Sequence, residues 1–226
     1  MSTLGDDFYG VRLLFRNLEI TLRAIKEDYR LGMKLDPSVK SGLDISLFSP
    51  SFHGLMLYRF SHFFWMSNMK FVAMSFRYLN RVIYRMDIHP AAEIECGIFI
   101  DHGIGVVIGE TTFIGRGTLI YHGVTLGTAR VMNGKRHPTV GRNVMIGANA
   151  VILGPVTIGH EAKIGANAVV LEDVPPFATA VGNPAKIIER KVMMREFDLP
   201  DRKDPDCELK NDESNLVKIG KNQSGR

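Results

Sequence analysis

Cysteine is almost missing from this sequence. Only Cys96 and Cys207 occur in 226 residues, they lie far apart, and there is no CxxC pair. That excludes a disulfide framework and leaves two reduced thiols as the expectation. Long uncharged apolar runs are missing too. The most apolar stretch, residues 51–86, is interrupted by Arg59, Arg77, Arg81 and Arg85, so no membrane-spanning helix is expected. The opening MSTLGDDFYG carries acids where a secretory leader needs bases, and a cytoplasmic protein is expected. Blocks of one charge sign are also absent. The net charge of +4 is scattered along the chain, which argues against a nucleic-acid footprint. It suits an enzyme that handles an anionic cosubstrate.

What is present falls into two periods. Residues 7–34 place apolar side chains at helical spacing, and Asp36-Pro37 then breaks the helix. Residues 50–66 and 70–85 read as two further helices joined at Asn68. From Asp87 the period becomes six. Ile88, Ile94 and Ile100 are followed by Ile108, Ile114, Ile120 and Leu126, then by Val140, Ile146, Ile152, Ile158, Ile164 and Val170. Glycine and small residues fill the positions between. This is the hexapeptide pattern of a parallel β-helix, in which each unit is one short strand and one turn. An ordinary strand core would not stay in register over so many units. The chain therefore divides into an α-helical domain (1–86), a β-helix (87–188) and a polar remainder (189–226) read as a short helix near 189–197 and a flexible tail.

The count fails twice. Ile100 to Ile108 is two residues too long, and Leu126 to Val140 is eight too long. Insertions in a regular solenoid form loops on its working face. Asp101-His102 lies in the first break and Arg136-His137 in the second, which marks both pairs as candidate functional residues. His89, before Pro90, reads as structural; for His122 a place lining the site is the alternative to satisfied polar packing, which is the expectation. His53 and His62 read as packing or interface residues. Val144, Val151 and Val169 are expected on the outer sheet faces, where neighbouring subunits would pack.

The run DIHPAAEIECGIFIDHGIGVVIGETTFIGRGTLIYHGVTLG, followed by GKRHPTVG, closely resembles the serine O-acetyltransferases, over roughly residues 36–190. LDPSV and SFHGLMLYRFSHFFW resemble the helical segment that precedes the β-helix in that family. The resemblance implies an α+β fold, an N-terminal α-helical domain followed by a left-handed parallel β-helix of hexapeptide repeats. That handedness comes from the resemblance alone, since the general rule for parallel crossovers would give the opposite hand. The implied reaction moves an acetyl group from acetyl-CoA, the cosubstrate, to the hydroxyl of L-serine, with no metal, to make O-acetylserine for cysteine biosynthesis. A sugar O-acetyltransferase of surface-polysaccharide synthesis is the alternative. A zinc lyase of the same fold would need a His cluster at ligand spacing, which His102, His122 and His137 do not offer.

By the same resemblance His102 is the base that takes the serine proton, and Asp87 is the carboxylate that orients it. Spacing alone does not select Asp87 over Asp101. Arg136 is the match for the residue that binds the serine carboxylate, with His137 beside it. Asp101 is the match for the ammonium partner, and Asp36 reaches in from a neighbouring subunit. Thr128, Ala148 and Ala166 match positions along the CoA groove, and Lys163 and Arg190 are candidates for its phosphates. A homotrimer is expected, extended to a dimer of trimers through the helical domain, because the sheet faces and the site need a neighbour to close them. Two departures stand out. GTARV replaces a glycine-rich loop after VTL, and the chain ends GKNQSGR where members that dock into a partner sulfhydrylase end in Ile. Docking of that kind is not expected here.

Overall fold

The computed structural model describes residues 4–36, 40–130 and 133–189. The expected helix and tail beyond residue 189, with Arg190, lie outside these residues. Four helices come first, α1 (Leu4–Leu35), α2 (Gly42–Phe48), α3 (Pro50–Met66) and α4 (Lys70–Ile83). Three of them are the helices that the periodicity predicts. Ser49 caps α3 by accepting a hydrogen bond from the Phe52 N–H at 3.3 Å, and Pro50 fills the first helical position. Asn68, at φ 60°, turns the chain between α3 and α4. The short α2 is an addition to the sequence reading. Seven residues display no period, and the helix is instead marked by a capping box. The Asp44 carboxylate accepts hydrogen bonds from the N–H groups of Ser41 at 2.7 Å and Lys40 at 2.9 Å.

From Asp87 onward the chain winds as a parallel β-helix with three faces. One face holds β1 (Asp87–Ile88), β4 (Val107–Ile108), β7 (Thr125–Gly127), β10 (Val151–Leu153) and β13 (Val169–Val170). The second holds β2 (Glu93–Ile94), β5 (Phe113–Ile114), β8 (Thr139–Val140) and β11 (Thr157–Ile158). The third holds β3 (Phe99–Asp101), β6 (Leu119–Tyr121), β9 (Met145–Ile146), β12 (Lys163–Ile164), β14 (Thr179–Val181) and β15 (Lys186–Ile188). Every aliphatic residue of the six-residue series from Ile88 to Val170 is buried, none more than 3% exposed. Each contributes about 1.5–3 kcal/mol of hydrophobic stabilisation. A second inward series, which includes Ala92, Val106, Val124 and Ala150, precedes it by two residues. Val144 belongs to that series and is buried, so its expected place on an outer face is corrected. It sits two residues before Ile146, and side chains two apart share a face. β15 pairs antiparallel with β14 and covers the edge of its sheet.

A buried ion pair fastens the helices to the first coil. Arg59 on α3 donates to the Asp28 carboxylate of α1 at 2.8 and 3.1 Å, and to the carbonyls of Ile94 and Glu95. Asp28 also accepts from the Ile98 N–H at 2.9 Å. Tyr58 donates to the Ala92 carbonyl at 2.6 Å, and its burial raises the phenol's pKa well above the usual range. His62 packs against the Pro90 carbonyl at 2.8 Å, and His53 against the Ser46 carbonyl at 2.8 Å. Both are therefore packing residues, as expected. Cys96 is disulfide-bonded, which corrects the expectation of two reduced thiols.

Candidate active site

Both breaks in the repeat become corners of the β-helix, at opposite ends of the strand face that contains β4. The first corner joins β3 to β4. There the two extra residues force His102 and Gly103 into left-handed backbone, each at φ 59°. Gly103 is needed in this turn. A Cβ at that position would lie 3.0 Å from the Met86 sulfur and 3.1 Å from the Ser51 Cβ. His102 tolerates the unusual φ at some cost in strain, and such strain concentrates at functional sites. The bulge leaves the His102 side chain 74% exposed, with its Nε2 3.7 Å from an Asp101 carboxylate oxygen. That separation is too long for a hydrogen bond and lets the imidazole reach a substrate.

A cleft of about 790 Å³ opens beside it, lined by Asp101, His102 and Tyr121 from the β-helix and by Asp36, Phe48 and Ser49 from the helical layer. Asp36 therefore shares a cleft with Asp101 and His102 of its own chain. The expectation that it arrives from a neighbouring subunit is corrected. Gly32 of α1 packs on the Phe99 ring, and this contact carries the end of α1 to the same corner.

The second corner follows β4 and gathers the other break. Glu110 accepts a hydrogen bond from the Arg136 guanidinium. That bond holds the Glu110 carboxyl below its ordinary pKa. The Thr111 hydroxyl accepts from the N–H groups of Arg136 at 3.0 Å and His137 at 3.1 Å, and lies 2.9 Å from His137 Nδ1. Thr111 N–H also donates to His137 Nδ1 at 3.1 Å. A backbone N–H can only donate, so this nitrogen is unprotonated and the neutral ring carries its proton on Nε2. Burial, with help from Arg136 and Lys135, lowers the His137 pKa, which keeps the ring in that neutral form. The ring lies directly over Gly109, where a Cβ would fall 2.0 Å from it. Lys135 completes the clamp by donating to the Thr111 carbonyl at 2.6 Å. Glu110 and Thr111 are site residues that the sequence reading missed. Their signal was available, since the pair Glu110-Thr111 closely follows a strand of the face on which the first break ends.

Asp87 does not touch His102. It accepts from Arg77 Nε at 2.6 Å, with Arg81 at 3.6 Å. It pairs in register with Val107 of β4, so it lies on the strand face between the two corners. Burial lowers the His89 pKa; its Nδ1 accepts from Ala91 N–H at 3.1 Å and its ring meets Trp65. That agrees with a structural role. Ala148 and Ala166 lie at the first corner, in the coils beyond His102, while Lys163 is exposed on β12. Thr128 is exposed and its hydroxyl accepts from Arg130 N–H at 3.3 Å, which ties the GTARV turn to itself. Among the described residues no group of three or more His, Cys, Asp or Glu is placed to hold a metal ion.

The model of the family described as bacterial transferase hexapeptide (six repeats) matches residues 137–172. The serine acetyltransferase of Helicobacter pylori is 48% identical over 155 residues, 69% of this chain and 91% of the relative. That of Mycobacterium tuberculosis is 44% identical over 167 residues, 74% of this chain and 73% of the relative. Among solved structures, Neisseria gonorrhoeae serine acetyltransferase in complex with serine superposes with a TM-score of 0.71 at 40% identity, covering 74% of this chain and 68% of that one. The Brucella abortus serine acetyltransferase in complex with coenzyme A gives a TM-score of 0.72 at 36% identity, covering 74% of this chain and 67% of that one.

Proposed function

The chain belongs to the serine acetyltransferase family, and we infer from that membership and from its two corners that it transfers the acetyl group of acetyl-CoA to the hydroxyl of L-serine. The product, O-acetylserine, is an activated serine for cysteine biosynthesis. In this reading His102 takes the hydroxyl proton as the oxygen attacks the thioester carbon, and returns it to the departing CoA thiolate. Asp101 and Asp36 meet the serine ammonium in the cleft. Arg136 and the Nε2–H of His137 meet its carboxylate. The pantetheine arm of acetyl-CoA runs past Ala148 and Ala166, with Thr128 near its path and Lys163 toward its phosphates.

The observation that carries the serine reading is the Arg136 clamp. Acyl transfer to a neutral alcohol has no use for a guanidinium held by Glu110 on a backbone that Thr111 fixes, whereas an amino-acid carboxylate suits it. Arg136→Ala should raise the serine KM by at least about 100-fold, since stranding a desolvated carboxylate costs roughly 3–5 kcal/mol. The acetyl-CoA KM should barely move. Thiol release from acetyl-CoA, measured against serine and against an uncharged alcohol, tests it. A wild type that prefers the uncharged alcohol would defeat the serine assignment in favour of a sugar-type acceptor.

We further propose that the working form is a homotrimer, extended to a dimer of trimers through the helical layer. The two corners are separated by the extended run 106–109 through β4, about 10 Å at 3.3 Å per residue. One serine cannot span that gap, so the first corner of one subunit must face the second corner of its neighbour. Asp87 would then meet His102 across that boundary. Exposed Phe71, Tyr78 and Ile83 on α4 offer apolar surface for such contacts. We treat residues 1–86 as the helical domain and 87–188 as the catalytic β-helix. The same reading puts the enzyme in the cytoplasm, where acetyl-CoA is used, although a disulfide such as that of Cys96 is uncommon there.

A further inference from the structure

We propose that His122 is a further catalytic residue of this acetyl transfer, donating a hydrogen bond from its ring to the thioester carbonyl oxygen as that oxygen gains negative charge. The proposal rests on the serine acetyltransferase reading above and on the stacking of the first corner. Ile120 pairs with Ile146 and Ile146 with Ile164, so His122, Ala148 and Ala166 occupy equivalent places in successive coils. Backbone bonds follow the same line, from Asn149 N–H to the His122 carbonyl and from Asn167 N–H to the Ala148 carbonyl. Gly123 N–H bonds the Ile104 carbonyl, so Ile104 holds the matching place in the first coil and His102 stands outside the stack on its bulge. An acyl chain that tracks Ala166 and Ala148 toward His102 must cross the coil of His122. Neighbouring coils are about 4.8 Å apart.

The two imidazoles already meet. Their centroids are 6.0 Å apart with the rings at 68°, edge to face. His122 makes no hydrogen bond through either ring nitrogen among the described residues, and its Nδ1 is buried without a partner. The expectation of satisfied packing is thereby overturned. A proton on Nδ1 would strand an N–H donor away from water, so in the neutral ring the proton sits on Nε2. That nitrogen is not enclosed in the same way. Such a donor, one coil from the base, is placed for the oxygen and not for the serine hydroxyl.

The step balances without further reactants. The serine oxygen bonds to the thioester carbon while its proton passes to His102, and the carbonyl electron pair moves onto oxygen. His122 donates to that oxyanion and keeps its own proton. When the carbonyl re-forms, the carbon–sulfur bond breaks and His102 protonates the CoA thiolate.

Steady-state kinetics on wild type, His122→Ala and His122→Gln test the assignment. The expected result for His122→Ala is a kcat about 100-fold lower, the scale for a lost oxyanion donor. The KM for serine and the binding of CoA should stay within about twofold, and the pH profile should keep the limb that His102→Ala removes. His122→Gln supplies an amide N–H in nearly the same place and should recover most of the rate. A His122→Ala enzyme with near-normal kcat, or a Gln variant as damaged as the Ala variant, would overturn the proposal. Should wild type ignore serine and acetylate another alcohol, the serine reading falls. The same three proteins assayed on that alcohol would still decide the role of His122, because it acts on the thioester.

Discussion

Thr111 illustrates how much of this site depends on residues that do no chemistry. Its hydroxyl and N–H organise both Arg136 and His137. Thr111→Val keeps the shape and the N–H but removes the oxygen, which leaves two backbone donors unsatisfied. At about 1 kcal/mol for each lost bond, the serine KM should rise roughly 5- to 30-fold while kcat changes little. Thr111→Ser should restore it, and a KM unchanged in the Val variant would show that the clamp holds without the hydroxyl. Titration provides a second residue-scale test. Burial is the leading cause that holds His62, His89 and His137 below their ordinary pKa of 6.5. The unfolded chain therefore binds protons that the folded chain refuses, in the window from 6.5 down to the lowered values. Stability must fall as pH drops through that window and level off below it. Thermal melts from about pH 7.5 down to about pH 5 should show a falling Tm, and His62→Gln should flatten the slope. A Tm that rises on acidification would contradict the direction of these shifts.

Among the elements, the contact that deserves a test is the one between helices and coils. Asp28 and Arg59 are both buried and satisfy each other together with three backbone groups of the first coil. Removing one partner leaves an uncompensated buried charge, at a cost of roughly 3–5 kcal/mol. For a chain of this size each kcal/mol shifts Tm by about 2–4 °C, so Arg59→Ala should lower it by about 10 °C. Asp28→Asn combined with Arg59→Met should recover much of that loss in a thermal melt, and a double variant as unstable as the single one would argue against a charge effect. This contact was not legible in the sequence. Arg59 read as an interruption of an apolar stretch, and no periodicity announces a partner 31 residues away. The coils were legible because each repeat restates the same demand, one aliphatic side chain inward and one turn outward. The two breaks were legible for the same reason, as departures from a fixed count. Within the site, His102 and Arg136 could be found by their breaks. The roles of Glu110, Thr111 and His122 depend on which coils stack, and the register of a solenoid only becomes visible when the insertions are placed in space.

At the scale of the whole molecule, the separation of the two corners becomes a statement about assembly. A closed ring of three subunits with head-to-tail contacts would contain three equivalent sites, each built from the first corner of one chain and the second corner of the next. Two inactive variants should then repair each other. His102→Ala spoils the first corner and leaves Arg136 intact, and Arg136→Ala does the reverse. When the two chains are unfolded together, mixed in equal amounts and refolded, a site is intact when its first corner comes from the Arg136→Ala chain and its second from the His102→Ala chain. Random assembly gives each condition with even odds, so about a quarter of the sites should be fully wild type in composition. Activity at low serine concentration should rise to about that fraction of the wild-type value, with a serine KM equal to that of wild type. The unmixed variants carried through the same procedure should stay inactive. If the mixture shows only the sum of its two components, all the groups that act on one serine must come from a single chain. The separation along β4 would then have to be closed within one chain rather than by a neighbour.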